Sequence, residues 1–259
     1  MKVVVLGSGT SHGVPVIGCD CPVCRSDHPK NQRTRCSLWL QYGGWSVLID
    51  AATELRLQAL REGIRQVHAV LLTHAHADHI SGMDDLRIFS QRSRQELPVY
   101  GNEETLREIR RKYSYAFEPT QEGGGKPKFS LHPINGPFDL FGQTIVPIPA
   151  WHGELPVLGF RCGDFAYVTD VSRIPPESLE RLQGLDTLIL GALRHRPHVT
   201  HFSVAQALEI AAQLQPRQTY FTHICHDLEH ETTNADLPAG VELAYDGLAL
   251  EFPESIGSM

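Results

Sequence analysis

The sequence predicts an α/β fold in which two sheets pack together with helices outside, in one domain built from two halves. Strand-like segments followed by helix-like ones occur twice along the chain, with no short fixed repeat. Segments such as 68–73 are apolar almost without interruption, the mark of a strand covered on both faces. The chain has 259 residues, or about 1.7 domains at roughly 150 residues each. That length suits one large domain, read here as a single unit over 1–259 with halves near 1–135 and 136–259.

The elements follow in order. After an opening strand and loop, residues 37–42 and 45–50 are β-rich runs joined by Gly43-Gly44, a pair suited to the positive φ of a tight hairpin. Thr53 is placed to cap a helix through about Arg61, with Gly63 at its end. Strand 68–73 leads directly into His74-Ala75-His76-Ala77-Asp78-His79. A short strand at 98–100 precedes Asn102, a natural N-cap for a helix to about Tyr113. Residues 121–128 hold three consecutive glycines and read as a mobile loop, with a linker between half-domains as the rival reading. Strands resume at 129–133, 144–148, 157–162 and 165–168. Pro175-Pro176-Glu177 opens a helix, 187–190 is a buried strand, Ser203 caps a helix to about Leu214, and 219–222 is a strand ending at His223. Asp246-Gly247 turns between the last two strands.

A formal net charge of −7 opposes broad electrostatic wrapping of nucleic acid or anionic membrane. The apolar start, Met1 to Leu6, is too short for a signal segment or membrane span, so a cytoplasmic location is expected. Fourteen His stand beside six Cys, and imidazole and thiolate are preferred ligands for zinc-like metals. Cys19, Cys21 and Cys24 fall within six residues, a clustering that reads as metal binding rather than as a disulfide framework.

An extended chain places residues i and i+2 on one face, so His74 and His76 can grip one ion at a strand end. Asp78 and His79 follow where the chain turns and can reach a second ion. Any one His is ordinarily a surface or hydrogen-bonded residue. Four liganding side chains within six residues reverse that expectation.

The segment 73–79 resembles the H-x-H-x-D-H motif of the metallo-β-lactamase superfamily, an αββα sandwich of two mixed sheets flanked by helices. The resemblance implies that His74, His76 and His152 hold one divalent metal, that Asp78, His79 and His223 hold a second, and that Asp170 bridges them. Zn, Mn and Fe all suit such ligands, with Zn or Mn favoured. Within the superfamily, the chain is most similar to the carbon–phosphorus lyase pathway phosphodiesterase family, from Gly7-Ser8-Gly9-Thr10 through Leu48-Ile49-Asp50 to Tyr245-Asp246-Gly247. Its specific marker is the run 18–24, where Cys19, Cys21 and Cys24 can wrap one structural zinc. By resemblance His226 supplies the fourth ligand, with Cys225 and Cys36 as competitors. The bland alternative is three reduced cysteines without metal.

The implied activity is hydrolysis of a small phosphodiester, cyclic or nucleotide-derived, by a hydroxide shared between two ions about 3.5–4 Å apart. Asp78 would orient that nucleophile. His201, which aligns with a catalytic His of the family, would supply the leaving-group proton or hold the phosphate. Its neighbours His195 and His198 compete for that place, His12 is a weaker candidate, and His28, His68, His132 and His230 have no assigned task. No extended nucleic-acid surface is expected, and a homodimer would suit the close family. The rivals are a pyrroloquinoline quinone biosynthesis-like protein and an RNA-processing nuclease of the same superfamily. A nuclease, however, would be expected to carry a long basic arm. A thioester hydrolase would add a C-terminal helical domain. A non-catalytic zinc-stabilised binding module is the rival from another class, although its second metal site should have lost a ligand.

Overall fold

The computed structural model describes residues 1–119 and 125–253, and the first half of the glycine-bearing stretch expected as a loop, 121–124, lies outside them. The N-terminal part contains β1 (Lys2–Gly7), β2 (Ser37–Tyr42), β3 (Trp45–Ile49), α1 (Leu55–Arg61), β4 (Ala69–Leu71), α2 (Ala77–Ile80), α3 (Arg87–Ser93), β5 (Leu97–Gly101), α4 (Glu103–Lys112), α5 (Ser114–Phe117) and β6 (Phe129–Pro133). The C-terminal part contains β7 (Phe138–Leu140), β8 (Gln143–His152), β9 (Leu155–Cys162), β10 (Phe165–Val168), α6 (Pro176–Arg181), β11 (Thr187–Gly191), α7 (Val204–Leu214), β12 (Gln218–Thr222), α8 (His230–Asp236), β13 (Val241–Leu243) and β14 (Ala249–Glu251).

The strand orders are β14-β1-β2-β3-β4-β5-β6 and β13-β12-β11-β10-β9-β8-β7. Each sheet has four antiparallel strands followed by three added in parallel, so the two share one plan. Both faces of both sheets are covered. Val3, Val5, Leu38 and Ile49 meet Phe160, Phe165, Tyr167 and Ile189 between the sheets. Val4, Leu6, Leu48 and Val70 face Leu55, Phe89 and Ile109 of the helices on one outside. Val168, Leu188 and Leu190 face Leu182, Val204 and Leu214 on the other. Double coverage explains why the inner strands are continuous in apolar character rather than alternating. The result is the αββα sandwich of two mixed sheets.

Several local expectations need correction. Thr53 does not cap α1; Glu54 occupies the N-cap position without a side-chain cap bond. The 68–73 strand is shorter, because only Ala69–Leu71 pairs and the chain then leaves the sheet toward its histidines. Strand β7 and helix α8 went unrecognised. Phe141 and Gly142 both adopt positive φ (57° and 85°) in the β7–β8 hairpin, and Phe is not a residue that advertises such a turn. Helix α8, His-Glu-Thr-Thr-Asn-Ala-Asp, has no apolar stripe and is started by the Glu229 carboxylate, which accepts from the Thr232 amide. The other caps behave as their chemistry requires: Asn102 accepts from the Thr105 amide, and Ser203 with Gln206 completes a capping box. Among the described residues no helix is long and apolar enough to cross a membrane.

Gly82, just after α2, lies so close to α1 that an added Cβ would overlap the Ala52 carbonyl oxygen and sit 2.6 Å from Leu55 Cβ. Gly82→Ala should therefore cost about 1–3 kcal/mol and be visible as a lower urea midpoint. An unchanged midpoint would show that the α1–α2 approach has room for a methyl group.

Candidate metal centre

Strand ends place the chemistry. The chain beyond β4 carries His74 and His76, then turns into α2, whose first turn bears Asp78 and His79. His152 ends β8, Asp170 lies just past β10, and His223 follows β12. Asp170 and His223 have left-handed backbone (φ 52° and 58°), a conformation costing roughly 1–2 kcal/mol that turns each side chain sharply inward.

Two groups form. Nitrogens of His74, His76 and His152 lie within 4.8 Å of one another, as do ligand atoms of Asp78, His79, Asp170 and His223. Asp170 belongs to both neighbourhoods. Its Oδ1 is 3.3 Å from His79 Nε2, and its Oδ2 is 3.2 Å from His223 Nε2 and 4.0 Å from His74 Nε2. Asp78 Oδ2 is 3.3 Å from His79 Nε2 and 3.6 Å from His223 Nε2.

These approaches are not hydrogen bonds. His74 Nε2, His79 Nε2 and both ring nitrogens of His223 are buried without a hydrogen-bond partner. Orphaned imidazole nitrogens are costly, and here they face carboxylates. Ligands 2.0–2.1 Å from a tetrahedral ion lie about 3.3 Å from one another, which is the spacing seen around His79 and His223. The donor set of imidazole and carboxylate without sulfur suits a divalent cation.

Electrostatics agree. Burial would raise the Asp170 carboxyl, but the His223 and His79 imidazoles outweigh it and hold the group well below the usual carboxylate range. Asp78 is likewise lowered, against burial, by His79 and His223. Burial would lower His79, yet Asp170, Asp50 and Asp78 push it well above the ordinary imidazole value. The pocket thus has a surplus of negative charge around its nitrogens.

Further partners fix the rings. Asp50, fully buried with φ 63°, accepts from the Thr73 amide and hydroxyl (both 2.8 Å) and meets His79 Nδ1 at 2.7 Å. His152 Nδ1 donates to the Thr200 carbonyl at 2.7 Å. Each contact holds one ring nitrogen and leaves the other aimed at the cluster, the usual support for a ligating histidine. The orienting role of Asp50 went unread in the sequence, although a carboxylate at the end of the apolar run Val47-Leu48-Ile49 was its signal.

His201 lies beside these groups, its ring centroid 4.5 Å from that of His152 and 4.7 Å from that of His223. Burial, then the neighbouring His223, pushes its pKa down to about 3. His198 is exposed, 5.1 Å from the His201 ring, and His195 is exposed on the same loop. A cavity of about 330 Å³ is lined by His201, His198 and His12, and its far wall includes Cys225 and His226.

That wall belongs to the second cluster. Sγ atoms of Cys19, Cys21 and Cys24 lie 3.3, 3.4 and 3.4 Å from a single atom, His226 Nδ1. One ring nitrogen cannot hydrogen-bond three thiols, whereas thiolates and an imidazole around one zinc stand about 3.5 Å apart. The Cys24 amide bond is foremost in drawing the Cys21 thiol down to about 7, whereas burial pushes Cys24 up to about 11. Cys36 instead meets the Gly9 carbonyl and Thr222 hydroxyl, and Cys225 Sγ accepts from the Asp227 amide, so neither joins the group. Arg33, 1% exposed, braces this wall through the Cys225 and Leu228 carbonyls at 3.1 and 2.8 Å. Nothing in the sequence distinguished this arginine from a surface one.

A model of the beta-lactamase superfamily domain matches residues 46–224. The chain belongs to the beta-lactamase superfamily. Its fold is that of the metallo-β-lactamases, in a superfamily that binds divalent metals. A crystal structure of a diphosphatase from the PhnP family is 47% identical with a TM-score of 0.92, over 97% of this chain and 96% of that one. Zinc-bound PqqB from Methylobacterium extorquens shares the fold at 19% identity and TM-score 0.79, over 97% and 100% of the two chains. An octanoyltransferase of Porphyromonas gingivalis W83 is 37% identical over 253 residues, 96% of this chain. This superfamily member spans only 51% of that protein's length.

Proposed function

We propose that the protein hydrolyses small, nucleotide-derived phosphoric diesters with the help of two divalent cations, Zn or Mn, and that a further zinc is structural. The observation that carries this reading is Asp170, within reach of both ligand groups and 4.0 Å from His201, which lines a neighbouring cavity. His74, His76 and His152 would hold one cation, Asp78, His79 and His223 the other, with Asp170 between them. Cations held there supply Lewis-acid neutralisation of phosphoryl oxygens and acidify water. Cys19, Cys21, Cys24 and His226 would close around the structural zinc.

The chain's own groups then divide the work. Asp78 accepts a hydrogen bond from the attacking water and orients it. The buried His rings keep bulk water from the reacting phosphorus. His201, whose Nδ1 stands 4.0 Å from Asp170 Oδ2, passes a ring proton to the leaving oxygen. An anionic phosphoryl group beside that ring favours its protonated form, against the burial that lowers it. Hydrolysis of a diphosphate linkage, an anhydride rather than an ester, is the second reading, supported by the similarity to the PhnP-family diphosphatase.

Bis-p-nitrophenyl phosphate, 2′,3′-cyclic nucleotides, ADP-ribose and a β-lactam, each offered with Zn or Mn, test the reading. Cleavage of the phosphates but not the lactam is expected, and failure on every phosphate overturns it. His201→Ala should lower kcat by about 10²-fold or more while metal content stays at the wild-type level. Unchanged turnover would remove His201 from the reaction.

A further inference from the structure

The cavity beside His201 holds two arginines on the loop between β11 and α7, and they differ in how their charge is met. Arg196 Nη2 pairs with Asp227 Oδ2 at 3.0 Å. Arg194 forms no ion pair among the described residues. Its Nε and Nη2 instead donate to the Arg196 and Pro197 carbonyls of its own loop, both at 3.3 Å. Its backbone is anchored, because the Val204 amide at the start of α7 donates to the Arg194 carbonyl at 2.9 Å. A guanidinium has five N–H donors, and the two loop bonds leave the others free. An arginine held by its own loop, half-buried in the wall of a cavity and unmatched by a carboxylate, is organised to receive an anion.

We propose that Arg194 is a specificity-determining residue that binds the second phosphoryl group of a diphosphate-linked substrate, while the first lies among the His/Asp groups. This rests on the second reading of the centre, hydrolysis of a diphosphate linkage, and names the residue that would recognise its second phosphoryl group. Arg194 and His201 line one cavity of about 330 Å³, and His201 Nδ1 stands 4.0 Å from Asp170 Oδ2, so a ligand whose first phosphoryl group lies beside His201 has Arg194 in the same cavity to meet a second. The loop-facing donors fix the planar fork, so a second phosphoryl group gains charge-assisted bonds that a simple diester lacks.

The test compares metal-loaded wild type with Arg194→Met and Arg194→Lys. The ratio of kcat/KM for ADP-ribose to that for bis-p-nitrophenyl phosphate should fall about tenfold or more in Arg194→Met, chiefly through KM, with partial recovery in Arg194→Lys. Equal losses on both substrates would show general damage and overturn the proposal. Calorimetry gives a readout independent of turnover. Wild type should bind methylenediphosphonate more tightly than methylphosphonate, and Arg194→Met should lose most of that preference. Equal wild-type affinity for the two phosphonates overturns the role of Arg194 even if hydrolysis occurs. Preferential binding that depends on Arg194, without hydrolysis of any phosphate, upholds the subsite and overturns the hydrolytic reading instead.

Discussion

Asp170→Asn should lower kcat/KM toward phosphodiesters by about 10³-fold or more, equivalent to about 4 kcal/mol of transition-state stabilisation. The substitution keeps the shape of the side chain and removes the one negative charge that reaches His74, His79 and His223 together. Metal analysis after dialysis should show loss of bound Zn or Mn in the same variant, because the two groups share this carboxylate. Asp78→Asn touches only His79 and His223, so it should weaken one ion more than the other. A fully loaded, active Asp170→Asn protein would show that the two groups work independently of this residue.

Cys21→Ser should remove about one zinc per chain and destabilise the fold by about 3 kcal/mol or more, a fall of roughly 6–12 °C in Tm for a chain this size. The expected size follows from what the cluster joins. Cys19, Cys21 and Cys24 lie in a loop with little apolar burial of its own, where only Val14, Val23 and Cys24 form a small buried group. His226 lies more than two hundred positions away, so the contact also holds the segment after β12. Equal zinc content and equal Tm in wild type and Cys21→Ser would leave the cluster as reduced cysteines.

Some of this architecture was legible because the signals were local. Ser203 and Asn102 announce helix starts through a side-chain oxygen within three residues of the amide it receives. The His74–His79 run is dense enough to stand out from any background of ordinary histidines. The division of His152, Asp170 and His223 between two groups came from family resemblance, since residues separated by whole strands leave no periodic trace. What escaped was set by tertiary packing. Strand β7 depends on an unadvertised positive-φ Phe141, and α8 on a Glu229 cap without an apolar face. Arg33 and Arg194 have the same sequence signature, yet one is a buried brace and the other stands unpaired in a cavity wall.

The outermost pairing of the first sheet has a consequence for how the chain assembles. β14 lies against β1, and the Met1 amino group donates to the Phe252 carbonyl at 2.7 Å across 251 positions of sequence. During synthesis β1 can pair with β2 early, but its other edge has no neighbour until residues 249–251 have emerged. The same delay applies to His223 and His226, which complete the two clusters of candidate ligands. A nascent chain therefore carries an open strand edge and two incomplete ligand sets until residues 223–251 have emerged. Self-association and adventitious metal capture are then concentrated in that interval, and both end when the last strand docks.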